Sequence, residues 1–105
     1  MKVVTNPEAG TALMRHLTGP RLALGAKDIA TIAQHAGIDL FWGCNDESII
    51  SITAALHMAY ACSNTKYIDL DGSFDLMEDL VTGGFEVKDG CLVINDAAGF
   101  GFTKI

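Results

Sequence analysis

Asp69 and Asp71 are the residues of this sequence best placed to do chemistry. Side chains two positions apart on a strand point to the same side, separated by ~6.6 Å. The pair could therefore hold one ammonium ion between two carboxylates. A plainer use is also open: Asp71-Gly72-Ser73 suits a turn and a helix cap, and Asp69 could pair with a neighbouring cation. Cys44, Asn45, Asp46 and Glu47 follow another predicted strand and would lie at the same rim. Polar groups there could shape a substrate pocket. Equally, Asn45 to Ser48 could do no more than cap the next helix, with Cys44 as a small buried filler.

The remaining reactive residue types offer less. His16, His35 and His57 show no metal spacing, and His57, set among apolar residues, fits an interior or interface position. Cys44, Cys62 and Cys91 cannot all pair within one chain and form no C-x-x-C. Gly99-Phe100-Gly101 does not lead from a strand into a helix, which argues against a phosphate loop. Phe100 and Phe102 are packing residues on this reading.

The 105 residues suffice for one domain, and half of them are apolar, enough to bury a core. Seven basic residues against thirteen acidic ones give a formal charge of -6. Nucleic acid and anionic membrane surfaces need basic patches, so both are excluded as expected partners. A small amine suits such a surface, although a modest acidic excess also serves solubility. No stretch approaches the ~20 apolar residues of a membrane span, and the N-terminus turns polar at once. With reduced thiols, these features predict a cytoplasmic protein.

The elements that must position these residues follow from pattern. Asn6-Pro7-Glu8 has the form of a helix start, Gly19-Pro20 of its end, and Arg21 to Leu24 of a short strand. Ile29, Ile32, Ala33 and Ala36 recur at helical spacing within Lys27 to Ala36, and Gly37 sits where a C-terminal cap belongs. Ile38 to Gly43 predicts a strand. Asn45 to Ser48 caps a helix running to Cys62 that is apolar almost all round, and Lys66 to Leu70 is the next strand. This alternation predicts an α/β fold of βα units with a parallel sheet. Ser73 to Leu80 is expected to be helical and Gly83-Gly84 to break the chain. Phe85 to Ile94 predicts a hairpin turning at Asp89-Gly90, with Val87 opposite Leu92 and Phe85 opposite Ile94. The tail from Ala97 is expected to be irregular. The expectation is a single domain, with residues 27–82 as βα units and residues 83–105 as hairpin and tail.

Leu40-Phe41-Trp42-Gly43-Cys44-Asn45-Asp46-Glu47-Ser48, followed by Ile68-Asp69-Leu70-Asp71-Gly72, resembles strands seven and eight of dipeptide epimerases, in the muconate-lactonising branch of the enolase superfamily. The closing stretch from Gly83 to Gly101 is similar to that family's C-terminus, and the likeness fades upstream of Lys27. The resemblance implies a partial (β/α) barrel, of which a complete version takes ~250 residues. It also implies Mg²⁺ at the barrel mouth, lysines on opposite faces of the substrate, and an acid pair at Asp69 and Asp71 that binds the dipeptide's free amino group. The family's metal-binding acids have no counterpart here. None of Lys2, Lys27, Lys66, Lys88 and Lys104 follows a barrel strand, and only Arg15 and His16 lie near the place of the opposing lysine. The expectation is a non-catalytic C-terminal portion that keeps a dipeptide-binding rim of Asp69, Asp71, Cys44, Asn45, Asp46 and Glu47 and holds no metal of its own. The alternatives are one part of a split Mg²⁺-dependent enzyme, or a small interaction protein. An unpaired sheet edge and a helix apolar on nearly every face further predict a homodimer.

Overall fold

A computed structural model describes residues 22–105. Its first element, α1, is a helix over Leu22–His35, so the strand expected to end at Leu24 is instead helical over residues 22–24. The helix runs through Gly25, which is buried. Ile29, Ala30 and Ala33 form its buried face, whereas Ile32 and Ala36, expected beside Ile29 and Ala33, are exposed. Its end is a Schellman motif. Gly37 takes a left-handed φ of 70°, the Ile38 N–H donates to the Ala33 carbonyl (2.8 Å), and the Gly37 N–H donates to Gln34 (3.1 Å). The expected helix start at Asn6, its end at Gly19-Pro20, and Arg15 and His16 lie outside the described residues.

The chain then forms β1 (Leu40–Trp42), α2 (Ile49–Ala61) and β2 (Thr65–Ile68). β1 and β2 pair in parallel, with Phe41 opposite Tyr67 and Trp42 opposite Ile68. Parallel neighbours need a crossover, and α2 supplies it. Side chains lock the unit. Asn64 donates to the carbonyls of Ala30 and Ile38 (3.2 and 3.1 Å). The Trp42 indole N–H donates to the Thr65 hydroxyl (3.0 Å), which donates to the Ala59 carbonyl (2.7 Å).

Ile52 and Leu56 of α2 close over Leu70, and Trp42, Ala55, Phe85, Leu92 and Ile94 pack around them. Fully burying one such aliphatic side chain contributes ~1.5–3 kcal/mol, so this small core carries much of the fold. Beside it lies Thr53, fully buried, whose hydroxyl has no hydrogen-bond partner among the described residues.

After β2 two expectations fail. Only Gly72–Asp75 is helical, as one 3₁₀ turn, where a helix to Leu80 was expected. Phe74, Met77 and Leu80 suggest one apolar face, yet they stand 57%, 101% and 72% exposed. Asp79 is held by the N-terminus of α2 instead, accepting from the Ser48 hydroxyl and the Ile49 N–H. The second failure is the tail. β3 (Val81–Gly83) pairs antiparallel with β6 (Phe102–Lys104), so Gly83 belongs to a strand and the tail is partly ordered. The hairpin between them is as expected. β4 (Phe85–Lys88) and β5 (Cys91–Ile94) place Val87 opposite Leu92 and Phe85 opposite Ile94. Asp89 and Gly90 both have positive φ, 51° and 77°, as a type I′ turn requires. The Tyr60 hydroxyl ties the hairpin to α2 through the Leu92 carbonyl (2.9 Å).

Candidate functional site

β1 and β2 run in the same direction, so the loops that leave their C-terminal ends come together. Asp69 follows β2 directly. Its N–H donates to the Trp42 carbonyl (2.8 Å), and its own carbonyl accepts from the Cys44 thiol (3.1 Å). Both backbone groups are thus fixed by the neighbouring segment. Leu70 is buried while Asp69 and Asp71 on either side are exposed. Asp71 opens the 3₁₀ turn, but its side chain makes no capping bond. Its backbone carbonyl receives the Phe74 N–H (2.9 Å). Its carboxylate lies 4.0 Å from the Cys44 sulfur instead.

The opposite loop carries the other four candidates. Glu47 uses both carboxylate oxygens locally, one accepting from the Asn45 N–H (3.1 Å) and the other from the Ser51 hydroxyl (3.0 Å). It shapes the loop as well as charging it. Asn45 and Asp46 are exposed, and Cys44 is half-buried. Ser48, which the sequence offers as a cap, receives the Ile50 N–H (3.1 Å) and begins α2.

Gly72 is the residue that sequence reasoning missed at this site. A Cβ built there would lie 1.9 Å from the Asn45 carbonyl oxygen and 3.2 Å from the Cys44 sulfur. The two loops therefore meet backbone against backbone, and only a hydrogen side chain fits. An Asp-Gly pair is so common in turns that nothing local in the sequence marks this contact.

Electrostatics follow from the packing. Burial pushes the Cys44 thiol above its ordinary pKa, and the carboxylates of Asp71, Glu47 and Asp69 push it the same way. A bond from the Gly72 N–H opposes them. A thiol held protonated is a poor nucleophile, which disfavours Cys44 as a covalent catalyst. The two ion pairs among the described residues, Lys66 with Asp39 and Lys88 with Glu86, both lie elsewhere. Among the described residues the rim carboxylates form no ion pair, which leaves them complementary to a positively charged group. Among the described residues no three acids, histidines or cysteines converge as metal ligands. These residues alone do not fit a Mg²⁺ ion.

Residues 23–104 match the family described as Enolase C-terminal domain-like. The chain is 60% identical over 78 residues to an L-Lys-D/L-Arg epimerase of Methylococcus capsulatus, covering 74% of this chain and 22% of that protein. It is 51% identical over 78 residues to an L-Lys-D/L-Arg epimerase of Desulforapulum autotrophicum, with the same two coverages. A solved structure of the M. capsulatus dipeptide epimerase complexed with Mg and the dipeptide L-Arg-D-Lys superposes with a TM-score of 0.74 at 57% identity, over 76% of this chain and 23% of that one. The chain thus resembles the C-terminal part of dipeptide epimerases and spans about a fifth of their length.

The crowding of acids at Cys44 can be checked by its alkylation. The rate should reach its half-maximum at a higher pH than for a free thiol. Asp71→Asn removes one carboxylate that raises the value, so the midpoint should move down. Mass-spectrometric mapping of iodoacetamide adducts reads this residue by residue. A midpoint that ignores Asp71→Asn would place the carboxylate away from the sulfur.

Proposed function

The chain belongs to the Enolase C-terminal domain-like family, and on that premise we propose that its acidic rim receives the ammonium group of a dipeptide. The observation that carries the reading is the exposure of Asp69 and Asp71 on either side of buried Leu70, beside Cys44 and Glu47, with no described cation opposite them. A ligand ammonium supplies the missing charge and donates up to three hydrogen bonds. The names of the related epimerases, with their lysine and arginine dipeptides, favour a cationic dipeptide. Asp46 and Glu47 add negative charge on the same side.

Chemistry at the dipeptide α-carbon asks for more than binding. Moving that proton needs a base within reach and stabilisation of the resulting enolate. Asp69 and Asp71 supply negative charge, which opposes an enolate. On this reading the rim acids act in substrate placement, and proton transfer needs other groups.

Calorimetric titration tests the rim. A dipeptide with a free N-terminus should bind about tenfold or more tightly than its acetylated form, and Asp71→Asn should erase the difference. Equal affinity of the two forms would reduce Asp69 and Asp71 to turn residues.

The 105-residue chain should incorporate no solvent deuterium at the substrate α-carbon with Mg²⁺ present. Proton NMR against a no-protein control decides this, and incorporation above the control would show that the chain carries its own base.

We also infer that the chain pairs with a second copy. Ile50, Tyr67, Ile68, Leu80 and Val87 are apolar and exposed, and closed two-fold pairing is the commonest way to cover such surface. Light scattering at micromolar concentration should give about twice the 11.2 kDa of one chain. A mass of one chain across the concentration range would rule the pairing out.

A further inference from the structure

Asp79 is absent from every expectation drawn above for the rim, yet it makes the most concentrated set of side-chain hydrogen bonds near it. One carboxylate oxygen accepts from the Ser48 hydroxyl (2.6 Å) and the Leu80 N–H (2.7 Å), and the other accepts from the Ile49 N–H (2.7 Å). Ser48 in turn receives the Ile50 N–H (3.1 Å). The carboxylate thus occupies the N-terminus of α2, where free N–H groups and the helix dipole favour negative charge. Those bonds hold its carboxyl below the usual carboxylate range, the Ser48 hydroxyl contributing most and the Ile49 N–H next.

The position of these bonds gives them a role beyond capping. Residues 69–80 leave β2, and after the Cys44 contacts with Asp69 and Asp71 they meet the 44–48 loop at two further places. The first is the contact of Gly72 with Asn45 and Cys44, and the second is Asp79 on Ser48 and Ile49. Between them the segment stands largely in solvent, with Phe74 and Met77 exposed. Beyond the second contact the Leu80 carbonyl accepts from the Ile105 N–H (3.2 Å) and Gly84 lies against Ile49 and Thr53 of α2, but Asp79 is the side chain that bonds the segment directly to the start of α2.

We infer that Asp79 is a positioning residue: it clamps the segment after β2 to the start of α2, and so fixes the distance between the Asp69–Asp71 side and the Cys44–Glu47 side of the rim. Its consequence for ligand binding rests on the ammonium reading. The clamp itself does not, because it can be read without any ligand.

Cys44 is the reporter. Its sulfur lies at the junction, donating to the Asp69 carbonyl, and Asp79 is not among the charges acting on it. Cys62, at the far end of α2 with its N–H on the Met58 carbonyl (3.1 Å), reports opening of that helix. Exposed Cys91 in the hairpin serves as a second control. Alkylation rates of all three thiols are measured on the full chain at one fixed pH by peptide mass spectrometry. Asp79→Asn should raise the Cys44 rate about fivefold or more and leave Cys62 and Cys91 within about twofold. Ser48→Ala, which removes the bond to Asp79 and the Ile50 cap but no charge, should show the same selectivity at smaller amplitude, and it decides the matter if Asp79→Asn fails to fold. An unchanged Cys44 rate would overturn the clamp. A parallel rise at all three thiols would overturn it too, leaving Asp79 as a helix cap that adds stability alone.

Discussion

Ile52 and Leu56 of α2 close over Leu70, and the placement of two acids rests on that contact. Leu70 is buried between Asp69 and Asp71, both of which stand exposed where β2 has ended and the 3₁₀ turn begins. Releasing it would forfeit ~1.5–3 kcal/mol of burial, far more than any local preference of an aspartate could recover. The site is a by-product of core packing at one leucine, held by the strand that delivers it and by the helix that covers it.

The opposing loop is held by different means. No large apolar side chain fixes residues 44–48. Their shape comes from hydrogen bonds of Glu47 to Asn45 and Ser51, and from the van der Waals stop at Gly72. A rim built half on burial and half on hydrogen bonds has one stiff side and one adjustable side. Hydrogen bonds at the surface contribute ~0.5–1.5 kcal/mol each net, so the adjustable side needs several acting together. Asp79 supplies two more at the start of α2.

Much of this was legible in residue order, and the failures have physical causes. The α2 cap at Ser48, the Gly37 helix end and the Asp89-Gly90 hairpin are local, each written in residues within a few positions of one another. The segment from Ser73 to Leu80 was misread because Phe74, Met77 and Leu80 mimic a helical face. The Asp79 carboxylate instead bonds Ser48, 31 positions earlier in the chain and beyond the reach of periodicity. The tail was misread for a related reason: Gly99 and Gly101 suggest irregularity, and pairing with Val81–Gly83 is a long-range fact. The start of α1 was placed at Lys27, yet the helix already runs from Leu22 through Gly25, which is unfavourable in helices by ~1 kcal/mol but is buried here. At the site, Asp69 and Asp71 were singled out by spacing and resemblance, whereas Gly72 and Asp79 act only through contacts with a distant loop.

The unpaired charge of the rim closes the argument. Like carboxylates near one another repel, and water tolerates them only because Asp69, Asp71 and Asp46 are exposed. Covering them with an apolar surface would cost several kcal/mol for each stranded ion. Any partner that buries this rim must therefore bring positive charge with it. An ammonium group does so with the donors needed to satisfy the oxygens, and a neutral amide does not. The discrimination lies in the penalty for the wrong ligand as much as in attraction for the right one. It depends on the carboxylates being held close enough to share one cation, which makes the spacing of the two loops, rather than the identity of the acids alone, the property on which selectivity rests.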